Sequence, residues 1–362
     1  MAKKLLKSFL LCILAFLIIT AAVTTTYGFA GQPNNLRLCS AKQEKYNDIK
    51  LYVGGMPFGV KFITEGVLVV GFCDVSGESG TKCPATDAGL KINDIITKVN
   101  GQLIAGSEEL IQAVESSNGK KICLTYTRDG KEQTTNLTPS YSCDESKYKS
   151  GLYVRDSGAG IGTVTFIVPK TYAFGGLGHG ICDGQNGKLI PMQRGSVVDV
   201  TINGVVRGLA GAPGEVKGYF SSGKIGTLLG NTECGVYGVF ASRPDSIHTD
   251  PLPICTRKEL KEGKAYIYST LSENKTEKYE IEISNIQRDS TSNKCFTVKV
   301  TDPKLLELSG GIVQGMSGSP IIQGGKLVGA VTHVMINDPT TGYGIFIENM
   351  LNAAQMPMAK AS

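Results

Sequence analysis

Residues Gly311 to Val334 read GIVQGMSGSPIIQGGKLVGAVTHV. Gly311, Gly315 and Gly318 share the first half of this stretch with Ser317 and Ser319. The second half, Ile321-Ile322, Gly324-Gly325 and Lys326 to Val334, has the pattern of two strands joined by a glycine turn. So many glycines suit either a flexible turn or a site for chemistry. A serine hydroxyl is a poor nucleophile at neutral pH, so a serine enzyme needs a base on the hydroxyl and N–H donors for the oxyanion. GMSGSP offers both accesses. Gly315 permits a turn in which its own N–H and that of Ser317 converge, and Gly318 leaves the hydroxyl uncrowded. Ser317 is the candidate nucleophile, with Gly315 and Ser317 as oxyanion donors, and Ser319 is the bland serine.

A base has few sources, because the chain has three histidines. His248 lies in the polar, proline-bounded loop SRPDSIHTDPLP and is expected to be solvated. His179 lies in FGGLGHGICD, where small neighbours let another backbone approach its ring, and it is the candidate general base. The spacing of His179 and Cys182 also suits a metal, but two ligands without a second pair make a weak site. Asp183, four residues after His179, is an orienting carboxylate or an ordinary turn former. His333 follows Val328 to Val331 on the strand downstream of Ser317, as a half-buried structural residue or part of a substrate cleft.

From about Lys149 onward, glycine-punctuated runs of four to eight residues such as GIGTVTFIVP, KAYIYSTL, KYEIEISNI and KCFTVKVT predict a mainly β domain, an antiparallel barrel or sandwich. Little helix is expected there apart from Asn349 to Ala354. The first half differs. Val67 to Phe72 and Asp94 to Val99 predict strands, with turns at Asn100-Gly101 and Asp129-Gly130. Ser107, with Leu110, Ile111 and Val114 at helical spacing, predicts an amphipathic helix stopped at Asn118-Gly119.

The order of these elements, with the loop GMPFGV and the run AGLKINDIITKVNG, resembles a PDZ domain. That resemblance implies a glycine-containing loop offering N–H groups to a peptide carboxylate, and it places the donors at Phe58, Gly59 and Val60, where Pro57 removes one donor. The GMSGSP turn and its hairpin are similar to the nucleophile turn of chymotrypsin-like serine peptidases, except that Ser319 stands where that group has glycine. Taken together, the N-terminal apolar segment, the PDZ-like module, GLGHGICD and the stretch from Gly310 to Leu351 resemble the SpoIVB peptidases. The resemblance implies a double-barrel serine peptidase domain, with Ser317 as nucleophile, His179 as base and Asp302, in TDPKLLEL, as the carboxylate that orients the base. It also implies that His333 touches the residue before the scissile bond, and that no metal or organic cofactor is used. The implied substrates are a membrane-associated regulator of sigma-factor processing and the enzyme's own chain, met in the space between forespore and mother-cell membranes. A rival reading is an inactive peptidase-like scaffold that tethers partners through the PDZ module.

The expected division is a signal peptide or membrane anchor over residues 1–30, a linker over 31–48, the PDZ-like domain over 49–140 and the peptidase over 141–362. The first segment rests on Lys3, Lys4 and Lys7 preceding the apolar run Ser8 to Val23, with small residues before a cleavage point after Ala30. A net charge of +5 with no basic stripe excludes nucleic acid as a partner. Ten cysteines in an exported chain suggest disulfides, Cys73 and Cys83 being the nearest pair, yet Cys123 and Cys295 sit in strand-like runs where thiols simply pack.

Overall fold

The computed structural model describes residues 49–359 apart from 79, 184–186, 246, 248–249 and 273–274. The expected signal segment and linker, Cys12, Cys39 and His248 lie outside the described residues. Among the described residues no helix is long and apolar enough to cross a membrane.

The described chain opens with β1 (Lys50–Val53) and the long strand β2 (Pro57–Phe72). A small α+β module follows: β3 (Val75–Gly77), β4 (Gly80–Lys82), α1 (Pro84–Asp87), β5 (Ile95–Val99), β6 (Gln102–Leu103) and α2 (Ser107–Ser116). It ends with β7 (Ile122–Arg128), β8 (Lys131–Leu137), β9 (Ser140–Ser142) and β10 (Lys147–Lys149). Next come β11 (Leu152–Ile167), β12 (Ala173–Gly176), β13 (Met192–Val206), β14 (Glu215–Thr232), β15 (Gly235–Phe240) and β16 (Leu252–Pro253). The last third contains β17 (Gly263–Thr270), β18 (Thr276–Ser284), β19 (Phe296–Val300), α3 (Pro303–Ser309), β20 (Pro320–Gln323), β21 (Lys326–Met335), β22 (Asp338–Phe346) and α4 (Ile347–Ala359).

Antiparallel pairing closes these strands into two barrels. In the first, β2, β11, β12, β15, β14 and β13 form a ring, because β2 pairs with both β11 and β13. In the second, β17, β18, β19, β22, β21 and β20 close through the β17–β20 pairing. Period-two sequence explains the second barrel: Ala265 and Ile267, Tyr279, Ile281 and Ile283, and Phe296, Val298 and Val300 alternate inward with more exposed neighbours.

β2 is shared between two cores. Its first half sends Phe58, Val60 and Phe62 into the first barrel, and its second half sends Val67 and Val69 into the core of the α+β module. The change occurs near Gly66, whose φ of +90° and close approach to the Ile96 carbonyl oxygen, 2.5 Å from where a Cβ would lie, require glycine. The module is therefore an insert in the first barrel, leaving along β2 and returning along β11. This corrects the expected division at residue 140, since strands of the first barrel lie on both sides of the insert.

The same arrangement corrects the assignment of Phe58, Gly59 and Val60 to a carboxylate-binding loop. Gly59 pairs with Ile161 on one side and Val198 on the other, so this backbone is committed to the barrel ladder. Phe58 is fully buried and packs edge-on against Phe174 at 5.5 Å. Alternation of Phe58, Val60 and Phe62 with smaller or polar residues is a strand signal that outweighs the glycines. The expected turns at Asn100-Gly101 and Asp129-Gly130 are present, with positive φ at both residues of each. The eight cysteines of the described residues are all unbridged, and Cys83 donates to the Gly151 carbonyl instead of joining Cys73.

Candidate active site

His179 follows β12 directly. The turn that presents it holds Leu177 and Gly178 at φ of +65° and +68°, a conformation that a leucine adopts only when its surroundings enforce it. Gly178 is needed because a Cβ there would lie 2.9 Å from Thr332 Cγ2 of the second barrel. His179 is thus held where the barrels meet. Its Nδ1 lies 2.8 Å from the Gly180 carbonyl oxygen. With the proton on Nδ1 donated there, Nε2 is left as an acceptor, the state a general base requires.

Ser317 arrives from the other barrel, in the loop between α3 and β20. Gly310, at φ +75°, ends α3 in a left-handed cap. Gly315 and Gly318, both at φ +96°, then fold the chain around Ser317. The loop is fastened to β11 of the first barrel: Thr163 Oγ1 donates to the Gly315 carbonyl at 2.8 Å, Thr163 N–H to the Ser317 carbonyl at 3.0 Å, and Thr165 Oγ1 to the Gly318 carbonyl at 2.8 Å.

The N–H groups of this loop divide into two sets. Those of Gln314, Met316, Gly318 and Ser319 donate to the carbonyls of Gly214, Val313, Val331 and Met316. Those of Gly315 and Ser317 have no acceptor among the described residues. Two free donors flanking one serine have the composition of an oxyanion site. The serines are also distinguished. Ser319 is fully buried with its hydroxyl on Ser269, whereas Ser317 lines a cleft of about 430 Å³ together with His179, Gly180, Cys182, Thr332 and His333. In this structure the Ser317 hydroxyl donates to the Thr332 carbonyl at 2.9 Å.

His333 stands beside the base, its ring centroid 5.0 Å from that of His179. Its Nδ1 is buried without a hydrogen-bond partner among the described residues. Burial, together with the neighbouring His179 and Lys294, pulls its pKa down to about 4. Burial likewise lowers the pKa of His179, with the Gly180 carbonyl opposing in part. Both rings are neutral at pH 7.

Asp302 does not join this group. Its Oδ1 accepts from Leu305 N–H and its Oδ2 from Glu280 N–H, both at 3.1 Å, so it caps α3 and ties the helix to β18. The Asp-Pro pair that opens TDPKLLEL explains this, since it places a capping side chain immediately before a proline at the first helical position. Asp183 is buried in the turn after His179 and lines a separate cavity with Lys188 and Asp129. No carboxylate is a hydrogen-bond partner of His179 among the described residues; the contact its Nδ1 makes is with the Gly180 carbonyl, a short-range one that spacing did not advertise. Asp302→Asn, which keeps a capping side chain, is expected to change kcat/KM by less than about threefold; an orienting carboxylate would instead cost about 10⁴-fold. Among the described residues no three His, Cys, Asp or Glu side chains cluster as metal ligands, so His179 and Cys182 have no further ligand.

The family model described as SpoIVB peptidase S55 matches residues 146–351, and the PDZ domain model matches residues 66–138. Two "Serine protease Do-like HtrA" proteins of Lactococcus lactis are similar over short stretches. The one from subsp. cremoris (strain MG1363) is 40% identical over 68 residues, 18% of this chain and 17% of that protein. The one from subsp. lactis (strain IL1403) is 37% identical over 89 residues, 24% of this chain and 20% of that protein. The chain thus spans a fifth or less of the length of these curated relatives. Among solved structures, the PDZ domain of an SdrC-like protein from Listeria monocytogenes matches 25% of this chain and 87% of that one, at 22% identity and a TM-score of 0.21. The HtrA-type protease AlgW with tripeptide matches 56% of this chain and 57% of that one, at 11% identity and a TM-score of 0.34.

Proposed function

Because the chain belongs to the SpoIVB peptidase S55 family, we propose that it is an exported serine endopeptidase in which Ser317 is the nucleophile and His179 the general base. The observation that carries this reading is the meeting of Ser317 and His179 in one cleft beside two uncommitted N–H groups.

A substrate backbone N–H arriving at the Thr332 carbonyl competes with the Ser317 hydroxyl for that acceptor. Rotation about Cα–Cβ then turns the hydroxyl toward Nε2 of His179. Ser317 Oγ attacks the carbonyl carbon while His179 takes its proton, and the N–H groups of Gly315 and Ser317 hold the oxyanion. His179 returns the proton to the leaving amine, and water repeats the sequence on the acyl-enzyme. His333, neutral and packed on the base, keeps bulk water from the outer face of the ring and forms part of the wall that meets substrate before the scissile bond.

The family likeness supports a membrane-associated regulator of sigma-factor processing as substrate, self-cleavage after export, and action between the forespore and mother-cell membranes. The rival reading, an inactive scaffold, draws on the hydrogen bond that occupies the Ser317 hydroxyl in the resting structure.

Labelling of the purified protein by a fluorophosphonate separates the two readings. Labelling is expected in the parent chain and in Ser319→Ala, and is expected to vanish in Ser317→Ala. A folded parent chain that resists labelling and cleaves no peptide would overturn the peptidase reading.

A further inference from the structure

The peptide group between Gly180 and Ile181 has two hydrogen-bonding ends, and each meets a side chain. Its carbonyl oxygen lies 2.8 Å from Nδ1 of His179. Its N–H donates to Oδ1 of Asn231 at 2.8 Å. Because a peptide is planar and trans, with C=O and N–H on opposite sides, fixing one end fixes the direction of the other. Asn231 therefore reaches the base through a single rigid group.

Asn231 lies in β14, opposite Val236 of β15, so its own backbone is held by the first barrel. Besides accepting from Ile181 N–H, its side chain donates from Nδ2 to the Ile181 carbonyl at 2.8 Å and to the Ile190 carbonyl at 3.0 Å. One acceptor and two donors are what an asparagine amide supplies, and an aspartate of the same size supplies no donor when ionised. These bonds gather two arms of the chain downstream of His179. Ile190 N–H donates to the Ile181 carbonyl at 3.0 Å, and Cys182 bridges to Leu189.

Packing leaves this peptide little room to turn. A Cβ at Gly180 would lie 2.2 Å from Leu189 Cδ1 and 2.7 Å from the Thr232 carbonyl oxygen, so Gly180 is enclosed by the second arm and by the residue after Asn231. The second arm is also tied to the insert, by Lys188 and Asp129 at 2.9 Å. Both of those groups are exposed, and such pairs contribute little. Asn231 is the stronger hold.

Hydrogen bonds in a chain polarise one another. From this arrangement we infer that Asn231 is a positioning residue for the base: it fixes the Gly180–Ile181 peptide, which holds the Nδ1 proton of His179 and leaves Nε2 to accept from Ser317. The relay is neutral from end to end. The inference deepens the peptidase reading above and rests on it. The titratable groups beside the relay are His333, 5.0 Å from the base ring, and Cys182, whose Sγ lies 3.7 Å from the Gly180 carbonyl oxygen. Burial lowers the pKa of His333 and raises that of Cys182, with exposed Glu233 adding to the latter, so neither is charged at neutral pH.

The test uses the full chain and follows the rate at which a fluorophosphonate labels Ser317, a reaction that needs the base and no peptide substrate. Asn231→Ala is expected to label about 10–10²-fold more slowly than the parent while reaching the same final extent. Asn231→Asp keeps an acceptor for Ile181 N–H and ends the relay in a carboxylate. The acid limb of its labelling rate is expected to move upward by about half a pH unit or more. A side chain that merely clamps the two arms would lower the melting temperature and leave rate and acid limb at parental values, which would overturn the inference alone. A measurement on the parent chain covers variants that fail to fold. Nitrogen NMR of the isotope-labelled parent, with the His179 resonances identified by their absence in His179→Ala, is expected to place the proton on Nδ1 at neutral pH; a proton on Nε2 would also overturn the inference. Failure of the parent to label would instead count against the peptidase reading.

Discussion

Gly318→Ala is expected to remove peptidase activity and to lower the melting temperature by at least about 10 °C. A Cβ at this position would lie 2.0 Å from the Thr163 carbonyl oxygen and 2.5 Å from Leu177 N, both backbone atoms of the first barrel. Neither has a flexible side chain that could yield, and φ of +96° adds strain of its own. Relief requires the nucleophile loop to lift from β11, which breaks the bonds from Thr163 and Thr165 and moves Ser317 away from His179. A cost of roughly 4 kcal/mol is consistent with this class of change, and each kcal/mol is worth about 2–4 °C in a domain of this size. Loss of the positioned N–H groups alone lowers kcat by about 10²–10³-fold. Gly324→Ala is the control. It also has positive φ, at +58°, but nothing lies within 4 Å of its Cβ, so only the local strain of about 1–2 kcal/mol applies and activity persists. Calorimetry and fluorophosphonate labelling of both variants read the contrast; a Gly318→Ala protein with parental melting temperature and labelling would refute the account of the loop.

His179→Ala is expected to lower kcat/KM by about 10²–10⁴-fold, and the parent enzyme to keep its activity into unusually acid solution. Burial depresses the pKa of His179 below its ordinary 6.5, so the ring remains an unprotonated base at pH values where a solvent-exposed histidine has titrated. The acid limb of kcat/KM therefore falls below pH 6.5. Stability has the same sign. The folded pKa values of His179 and His333 lie below the unfolded value, so as pH falls under 6.5 the unfolded chain takes up protons that the folded chain refuses. The stabilisation present above pH 6.5 is lost progressively toward the value of about 4 at which His333 titrates in the folded protein. A pH–rate profile and thermal melts between pH 4 and 8 measure both. An acid limb above pH 6.5 would indicate that His179 is stabilised as a cation by a carboxylate partner, contrary to its observed contacts.

The parts of this protein that follow from local chemistry were legible in its sequence. Asn100-Gly101 and Asp129-Gly130 give turns with positive φ wherever they are placed, and alternating apolar residues in KAYIYSTL and KYEIEISNI give strands with one face inward. GMSGSP limits its own backbone enough to single out Ser317, and glycines around His179 mark a ring that another element can approach.

Three assignments required the folded chain. Phe58, Gly59 and Val60 follow the glycine pattern of a binding loop, yet they pair with strands about one hundred residues and more downstream, and pairing partners are not encoded in a local motif. Asp302 has the composition of a catalytic carboxylate, but an N-cap is an equally good use of Asp before Pro, and only the position of Glu280 decides between them. The cap of α2 is also non-local, because Gly106 has no side chain and Asp156 supplies the acceptor from β11. Sequence by itself determined the turns and the strand periodicity and singled out Ser317 and His179 as candidates, since each depends on the conformational limits of a few consecutive residues. Tertiary structure alone decided what brings Ser317 and His179 to one cleft and what joins the insert to the first barrel, because β2 and β11 take their meaning from distant partners, whose hydrogen bonds form only when the barrels close.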